Sequence, residues 1–95
     1  MEIIYEVKTH EQNSSHDLRI VRLNGVTIFI TYESHNAYEK YYGEIFNGEK
    51  RNHLFNMYDL GVESDSSSYI FSPERRLKKS DDLFEKAKTF ISKIL

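Results

Sequence analysis

Hydrophobic and polar positions alternate at the start of this chain and follow a helical spacing at its end. Glu2 to Lys8 alternates, with Ile3, Tyr5 and Val7 on one side, which predicts a half-buried strand. The last fifteen residues instead carry an apolar stripe at a spacing of about 3.6 residues. That stripe predicts an amphipathic helix beginning at a Ser80 cap, with its apolar face formed by Leu83, Phe84, Ala87, Phe90, Ile91, Ile94 and Leu95.

The clearest strand signal is a β-hairpin centred on Asn24-Gly25, between the runs Asp17–Leu23 and Val26–Tyr32. Asn-Gly supplies the two positive-φ positions of a type I′ turn, and this two-residue turn determines the register. One face pairs Leu23 with Val26, Val21 with Ile28 and Arg19 with Ile30, while the other pairs Arg22 with Thr27, Ile20 with Phe29 and Leu18 with Thr31. This second face is therefore apolar as well, so another element or a partner covers it.

Residues 34–48 are predicted to form a central helix. Apolar residues recur four positions apart in two adjacent rows, at Ala37, Tyr38, Tyr41, Tyr42, Ile45 and Phe46. Ser34 suits the N-cap, and Asn47-Gly48 suits the end of the helix. Two observations argue against this helix. A glycine inside a helix, here Gly43, costs about 1 kcal/mol of helix stability relative to alanine, and the abundance of Tyr, Ile and Phe favours a strand.

The remaining segments are less decisive. Residues 52–60 suit either a strand or a two-turn helix that ends at Gly61, and residues 68–72 read as a late strand. Ser72-Pro73-Glu74 predicts a single helical turn. We therefore predict one α+β domain over residues 1–95, in which a small antiparallel sheet packs against the C-terminal helix, with the central helix beside them.

The composition narrows the class of protein. The chain has no cysteine, so neither a disulfide nor a thiolate metal site is available to stabilise it. Met1–Glu6 is acidic where a signal peptide is basic, and no apolar run approaches the ~20 residues of a membrane span. We expect a soluble, cytoplasmic protein with no membrane contact.

Catalytic and metal-binding signals are weak. The four histidines are scattered, and His35 and Glu39, four residues apart on the predicted helix, have no third ligand. The chain has no nucleophile elbow and no glycine-rich phosphate loop. We expect no cofactor, no metal and no catalytic activity, and an enzyme of unknown reaction ranks third among the functions considered.

A nucleic-acid-binding regulator ranks second. Its candidate residues are the basic run Arg75, Arg76, Lys78 and Lys79, or the sheet face around Phe29. The basic run lies between Glu74 and Asp81-Asp82, which weaken its field. Residues 1–73 hold six Lys or Arg against eleven Asp or Glu, so the chain lacks the broad basic face of a nucleic-acid binder.

A protein-binding domain ranks first. Residues 33–65 contain seven acids and three bases among several tyrosines, and tyrosine is favoured at interfaces. The candidate partner-binding residues are Tyr38, Glu39, Tyr42 and Glu44, facing a basic partner that handles nucleic acid. Both glutamates lie off the apolar rows of the predicted helix, so we expect the fold to tolerate their reversal to lysine. In type, as a small aromatic domain with an acidic body, the chain resembles inhibitor, immunity and phage counter-defence proteins, although no shared motif carries that resemblance.

Overall fold

The computed structural model describes residues 1–35, 38–65 and 72–95. Within these residues five antiparallel strands form one sheet in sequence order: β1 (Glu2–His10), β2 (Ser14–Leu23), β3 (Val26–His35), β4 (Tyr38–Phe46) and β5 (Arg51–Asn56). A short 3₁₀ helix (Met57–Leu60) follows, and then one α-helix, α1 (Pro73–Ile94). Helix α1 lies across one face of the sheet. The predicted α+β class, a sheet packed against a C-terminal helix, is confirmed.

The hairpin between β2 and β3 has the predicted register. Asn24 and Gly25 have φ values of 53° and 77°, both in the left-handed region that the type I′ turn requires. Val21 lies opposite Ile28, and Ile20 lies opposite Phe29. The Asn24-Gly25 turn, together with the β-branched residues of β2 and β3, therefore aligns ten consecutive residue pairs between the two strands.

The predicted central helix is wrong: residues 38–46 form strand β4, and residues 36–37 lie outside the described part of the chain. A spacing of four residues is one helical turn, but it is also two pleats of a strand. Tyr38, Tyr42 and Phe46 therefore share one face of β4, while Tyr41 and Ile45 share the other. Because both faces of the strand carry aromatic or aliphatic residues, the pattern imitates two helical rows.

Gly43 suits the strand for a reason that the sequence does not show. It lies opposite Phe55 of β5, and the Phe55 ring occupies the space where a Cβ atom at position 43 would be. The register of β5 shifts beside this pair, since Glu44 lies opposite His53, and Leu54 is the extra residue of a β-bulge. A glycine at position 43 would weaken a helix. In the strand it allows the Phe55 ring to lie directly against the β4 backbone on the core side of the sheet.

The segment 52–60 contains both of the structures considered for it. It begins in strand β5 and ends in the 3₁₀ helix. The Asn56 side chain accepts hydrogen bonds from the backbone N–H groups of Tyr58 and Asp59, at 2.9 and 3.3 Å. Gly61 ends the helix at φ 76°, in agreement with the helical alternative for this segment. The late strand expected at 68–72 falls almost wholly on residues 66–71, outside the described part.

Helix α1 begins eight residues earlier than predicted. Ser72 caps it by accepting the N–H of Arg75 at 3.4 Å, so the predicted single turn and closing helix are one element. Ser80 lies inside it, because the residues between Glu74 and Ser80 are good helix formers and none of them ends the helix. Leu83, Phe84, Ala87 and Ile91 are buried as expected, but Ile94 is 46% exposed.

Strand β1 is less buried than its alternating pattern predicts. The register with β2 shifts between Ile3 and Tyr5, which lie opposite Val21 and Ile20. Ile3 therefore lies on the α1 side of the sheet, whereas Tyr5 and Val7 lie on the opposite side. Eight of the nine residues of β1 are exposed. No helix in the described part of the chain is long and apolar enough to cross a membrane.

Candidate functional site

The sheet face opposite α1, called the open face here, is uncovered in the described part of the chain. Strand alternation places the even-numbered residues of β2 and β4 and the odd-numbered residues of β3 on it, together with Tyr5 and Val7. Tyr5, Val7 and Phe46 are 51%, 40% and 38% exposed. Beside them lie the half-buried apolar residues Leu18, Ile20 and Phe29. A contiguous apolar surface of this kind is typical of an interaction site.

The ring of Phe29 lies at the centre of the open face and contacts two neighbours. Its centroid is 5.5 Å from that of Phe46, in an edge-to-face arrangement. The guanidinium of Arg51 lies 5.0 Å from the same centroid, within cation–π range. The strands therefore bring a cation to Phe29, although the nearest residues of β3 on the same face, Thr27 and Thr31, are uncharged.

Three of the four sequence-predicted site residues lie together on the β4 side of this face. The hydroxyls of Tyr38 and Tyr42 donate to the two carboxylate oxygens of Glu33, at 3.0 and 3.5 Å. Glu44 lies 3.9 Å from Arg51. We call Glu33, Tyr38, Tyr42 and Glu44 the tyrosine surface. Sequence reasoning missed Glu33, although its position opposite Lys40 in β4 follows once the strands are paired.

Electrostatics on the tyrosine surface favour the neutral form of Tyr42. Partial burial, followed by the charge of Glu33, raises the pKa of the Tyr42 hydroxyl. The Lys40 ammonium lies 5.2 Å from the Tyr38 ring centroid. The surface thus presents two aromatic rings whose hydroxyls are held by one carboxylate, with a lysine over one face of the Tyr38 ring.

The fourth predicted residue, Glu39, lies on the other side of the sheet and is 5% exposed. Its carboxylate accepts the Tyr32 hydroxyl at 2.8 Å, the Asp65 N–H at 2.9 Å and the Lys79 ammonium at 2.7 Å. Burial, then the charge of Glu39, raises the pKa of Tyr32. Glu39 therefore joins β3, the segment after the 3₁₀ helix and α1. Its reversal to lysine would bury a repulsive charge, so the expectation that the fold tolerates it does not stand.

A cleft of about 620 Å³ adjoins the tyrosine surface. Strand β5 pairs only with the Tyr42–Phe46 part of β4, so the first half of β4 extends past it. The cleft lies against that extension, and its walls include Tyr38, Lys40, Tyr42, His53, Asn56 and Tyr58. Tyr58 is 68% exposed. The recess is bordered by three tyrosines, and the Glu33 carboxylate, which two of them hold, lies beside it.

A buried polar network lies on the opposite face, beneath the first half of α1. Arg76 Nε donates a hydrogen bond to Ser15 Oγ at 2.6 Å. Because Ser15 Oγ accepts from Arg76, its own hydroxyl proton is donated to His10 Nδ1, at 2.7 Å. His10 Nε2 then carries its own proton and lies 2.8 Å from Asp17 Oδ1. The Ser80 hydroxyl donates to Asp17 Oδ2, which also accepts from His10 Nε2 at 3.1 Å. Charges and hydroxyls of β1, β2 and α1 thus form one continuous chain.

This network contains a serine, a histidine and an aspartate in hydrogen-bonding order, but its geometry does not suit nucleophilic catalysis. Ser15 is 4% exposed, and the Arg76 guanidinium covers its oxygen, so a substrate has no approach to it. Arg76 also donates to the carbonyls of Glu11 and Gln12, which ties α1 to the β1–β2 turn. No group of three candidate metal ligands occurs among the described residues.

The basic run considered for nucleic acid is largely engaged within the protein. Arg76 is 1% exposed. Lys79 binds Glu39 at 2.7 Å, and Lys78 binds Asp82 at 2.8 Å. Arg76 and Lys79 are thus directed into the protein, whereas Lys78 stays 77% exposed beside its partner on the same helix.

Comparisons with protein-family models, curated proteins and solved structures return no match for this chain. No family therefore supplies an activity, and the site has to be interpreted from its own geometry.

Proposed function

We propose that this protein is a non-enzymatic protein-binding domain whose tyrosine surface receives a basic segment of its partner. One observation carries the proposal: two tyrosine hydroxyls converge on the Glu33 carboxylate on an uncovered sheet face. Aromatic faces around a carboxylate offer an arginine or lysine both a cation–π contact and an ion pair. Tyrosine also presents a large contact area at a small cost in rotamer entropy.

Charge supports a basic partner. The side chains of Glu33 and Glu44 are 31% and 25% exposed, so both carboxylates reach solvent without being fully screened. The first 73 residues carry an excess of acid. Such a field speeds association with a positively charged surface.

The proposal extends to the partner's class: a protein that handles nucleic acid and that this domain inhibits, in the cytoplasm. This extension rests on the resemblance in type to inhibitor, immunity and phage counter-defence proteins, and on the absence of cysteine, which suits a reducing compartment. A protein that binds nucleic acid carries the basic surface that the tyrosine surface would meet.

A titration with an oligo-arginine peptide tests the proposed surface. We expect micromolar binding at low salt, weakened at least tenfold by Glu33→Gln, because the variant removes the carboxylate between the two tyrosines. The matched control is Glu49→Gln, an exposed glutamate in the β4–β5 turn. Equal loss in both variants would show that only net charge matters and would contradict a specific site.

Affinity capture from the native host tests the partner's class. Wild-type protein and the Glu33→Gln variant would be used side by side, and the captured proteins identified by mass spectrometry. We expect a basic nucleic-acid-handling protein that the wild type retains and the variant loses. The proposal would be contradicted if the captured partner were acidic, or if the wild type and the Glu33→Gln variant captured it equally well.

A nucleic-acid-binding domain is the second candidate, and one observation favours it. The sheet places Arg51 over Phe29 and brings Arg22 and Lys40 to the same open face, so cations and aromatic rings are interleaved there. Base stacking on such a face is how single strands are bound. A gel-shift titration with single- and double-stranded DNA and RNA separates the two functions. Micromolar, salt-sensitive binding would favour this candidate and contradict the first.

A further inference from the structure

Strand β1 is the most exposed part of the sheet. It is an edge strand of nine residues, and all except His10 are exposed. Large apolar side chains are prominent in it, with exposed fractions of 48% at Ile3, 43% at Ile4, 51% at Tyr5 and 40% at Val7. A long edge with apolar side chains and free backbone groups is a template for pairing with another strand.

The other edge strand, β5, is protected by comparison. It has six residues, a bulge at Leu54 and a terminal Arg51, and the 3₁₀ helix follows it directly. Short length, bulges and charge are the features by which edge strands avoid pairing. In β1 the bulge lies at Ile4, and beyond it Tyr5 to His10 pair with β2 in a regular register. Six regular residues of β1 therefore remain for a partner.

We propose that β1 pairs antiparallel with β1 of a second copy of this chain, so that two sheets join into one of ten strands. A two-fold axis perpendicular to the sheet requires that residues directly opposite each other share a face. The condition is met only when the two-fold axis lies beside one residue, which then faces the same residue of the second copy. An axis between two successive residues would place side chains of opposite faces against each other. Within the regular part the central choices are Glu6, Val7 and Lys8, and charge distinguishes them.

An axis at Glu6 would place two glutamates opposite each other, and an axis at Lys8 would place two lysines opposite each other. An axis at Val7 instead places Glu6 opposite Lys8 of the partner subunit, and symmetry repeats this pair. Glu6 already contacts Arg19 at 2.8 Å, and Lys8 contacts Asp81 at 3.2 Å. The dimer would thus extend an existing row of alternating charges on the α1 side.

On the open face this register places Val7 against Val7 of the partner subunit and Tyr5 against Thr9 of the partner subunit. Aromatic and β-branched cross-strand pairs are those that stabilise sheets. Each copy uses the longer of the two sheet edges that its described residues form, so the assembly stops at two. The tyrosine surface lies on β3 and β4, and β2 separates it from β1. Dimerisation therefore does not depend on the proposed function and leaves that surface free in both copies.

Single cysteines test the register, because the chain contains none of its own. Val7→Cys places two sulfurs across the axis at a separation that a disulfide can span. We expect this variant to form a covalent dimer rapidly under mild oxidation. The matched control is Phe46→Cys, on the same face at 38% exposure against 40% for Val7. Equal cross-linking of the control would indicate face-to-face stacking and overturn the proposal.

Sedimentation equilibrium tests the charge pair in the absence of a cross-link. We expect the wild type to dimerise reversibly and Lys8→Glu to raise the dimer dissociation constant at least tenfold. Lys78→Glu is the matched control, since it reverses one lysine that is likewise paired with an aspartate but lies on α1. Thermal melting confirms that both variants fold. A wild type that stays monomeric to millimolar concentration, or equal weakening by both variants, would overturn the proposal.

Discussion

The two halves of α1 contact the same sheet in opposite ways. The C-terminal half buries Leu83, Ala87 and Ile91 at 2% exposure or less, in a cluster with Val21 and Ile28. The N-terminal half buries charges and hydroxyls to the same degree: Arg76 and Ser80 are each 1% exposed and contact Ser15 and Asp17. Burial alone therefore does not distinguish a stabilising contact from an orienting one.

The difference lies in how strictly each half determines geometry. Apolar contacts are non-directional and scale with area, so they stabilise the helix over a range of small displacements. A hydrogen-bonded charge loses its partner on a shift of about 1 Å, and its desolvation is then no longer offset. We infer that the apolar half supplies most of the stability and that the polar half determines where α1 lies on the sheet.

The largest expected effect is at Asp17, which is 1% exposed and accepts from His10 and Ser80. Asp17→Ala would leave those donors buried without an acceptor, and we expect a loss of about 3–5 kcal/mol of unfolding free energy in urea titration. Asp17→Asn keeps one carbonyl acceptor and should lose less. Equal losses in the two variants would mean that the network contributes through packing and not through hydrogen bonds.

The apolar half should show a loss that depends on burial. Ile91→Ala removes a side chain at 0% exposure, and we expect it to cost about 2–5 kcal/mol, measured by the same titration. Ile94→Ala is the control: Ile94 is 46% exposed, and its loss should stay below about 0.5 kcal/mol. If both substitutions cost the same, the end of α1 packs more closely than this structure shows.

The smallest expected effect is the pH dependence at Asp81. Burial opposes ionisation of this carboxyl, but hydrogen bonds from Arg19 and Lys8 outweigh it and lower its pKa. A lowered folded-state pKa gives stability that is present above the ordinary carboxyl range, near pH 4, and lost as pH falls through the folded value. Because Asp81 is half exposed, Asp81→Asn should cost under about 1 kcal/mol at pH 7.

Thermal melting from pH 7 to pH 2 checks this sign. The difference between the wild type and Asp81→Asn should shrink on acidification, since both side chains are then neutral. A difference that grows at low pH would mean that Asp81 is destabilising when ionised.

Sequence reasoning succeeded where structure is determined locally. Asn24-Gly25 specifies its turn chemically, and Gly61 ends the helix in one of the two alternatives considered for residues 52–60. Ser72-Pro73 marked a helix start but not its length, because a single turn was predicted where α1 begins. It failed for β4, because a spacing of four residues describes a helical turn and two strand pleats equally well. Tyr38 and Tyr42 share a face under either interpretation, so their common surface was predictable even with the wrong element.

The polar half of the helix contact was not predictable from spacing. Arg76 and Ser15 are 61 residues apart, and Ser80 and Asp17 are 63 apart, so no local window contains either pair. Glu39 was misplaced for the same reason, because its main partner, Lys79, is 40 residues away. One signal was present: Ser15, Asp17 and Arg19 alternate onto the same face of β2 as Val21, which indicates polar partners above that face.

The order of the elements has a consequence for a chain emerging from the ribosome. Each strand pairs with its sequence neighbour, so the sheet can assemble while α1 is still being synthesised. During that interval the surface that α1 will cover faces water. Asp17, Arg19 and Glu39 keep part of it hydrated, which reduces its tendency to aggregate as a nascent intermediate. The charged residues that orient α1 in the folded protein thus also reduce aggregation of the partly synthesised chain.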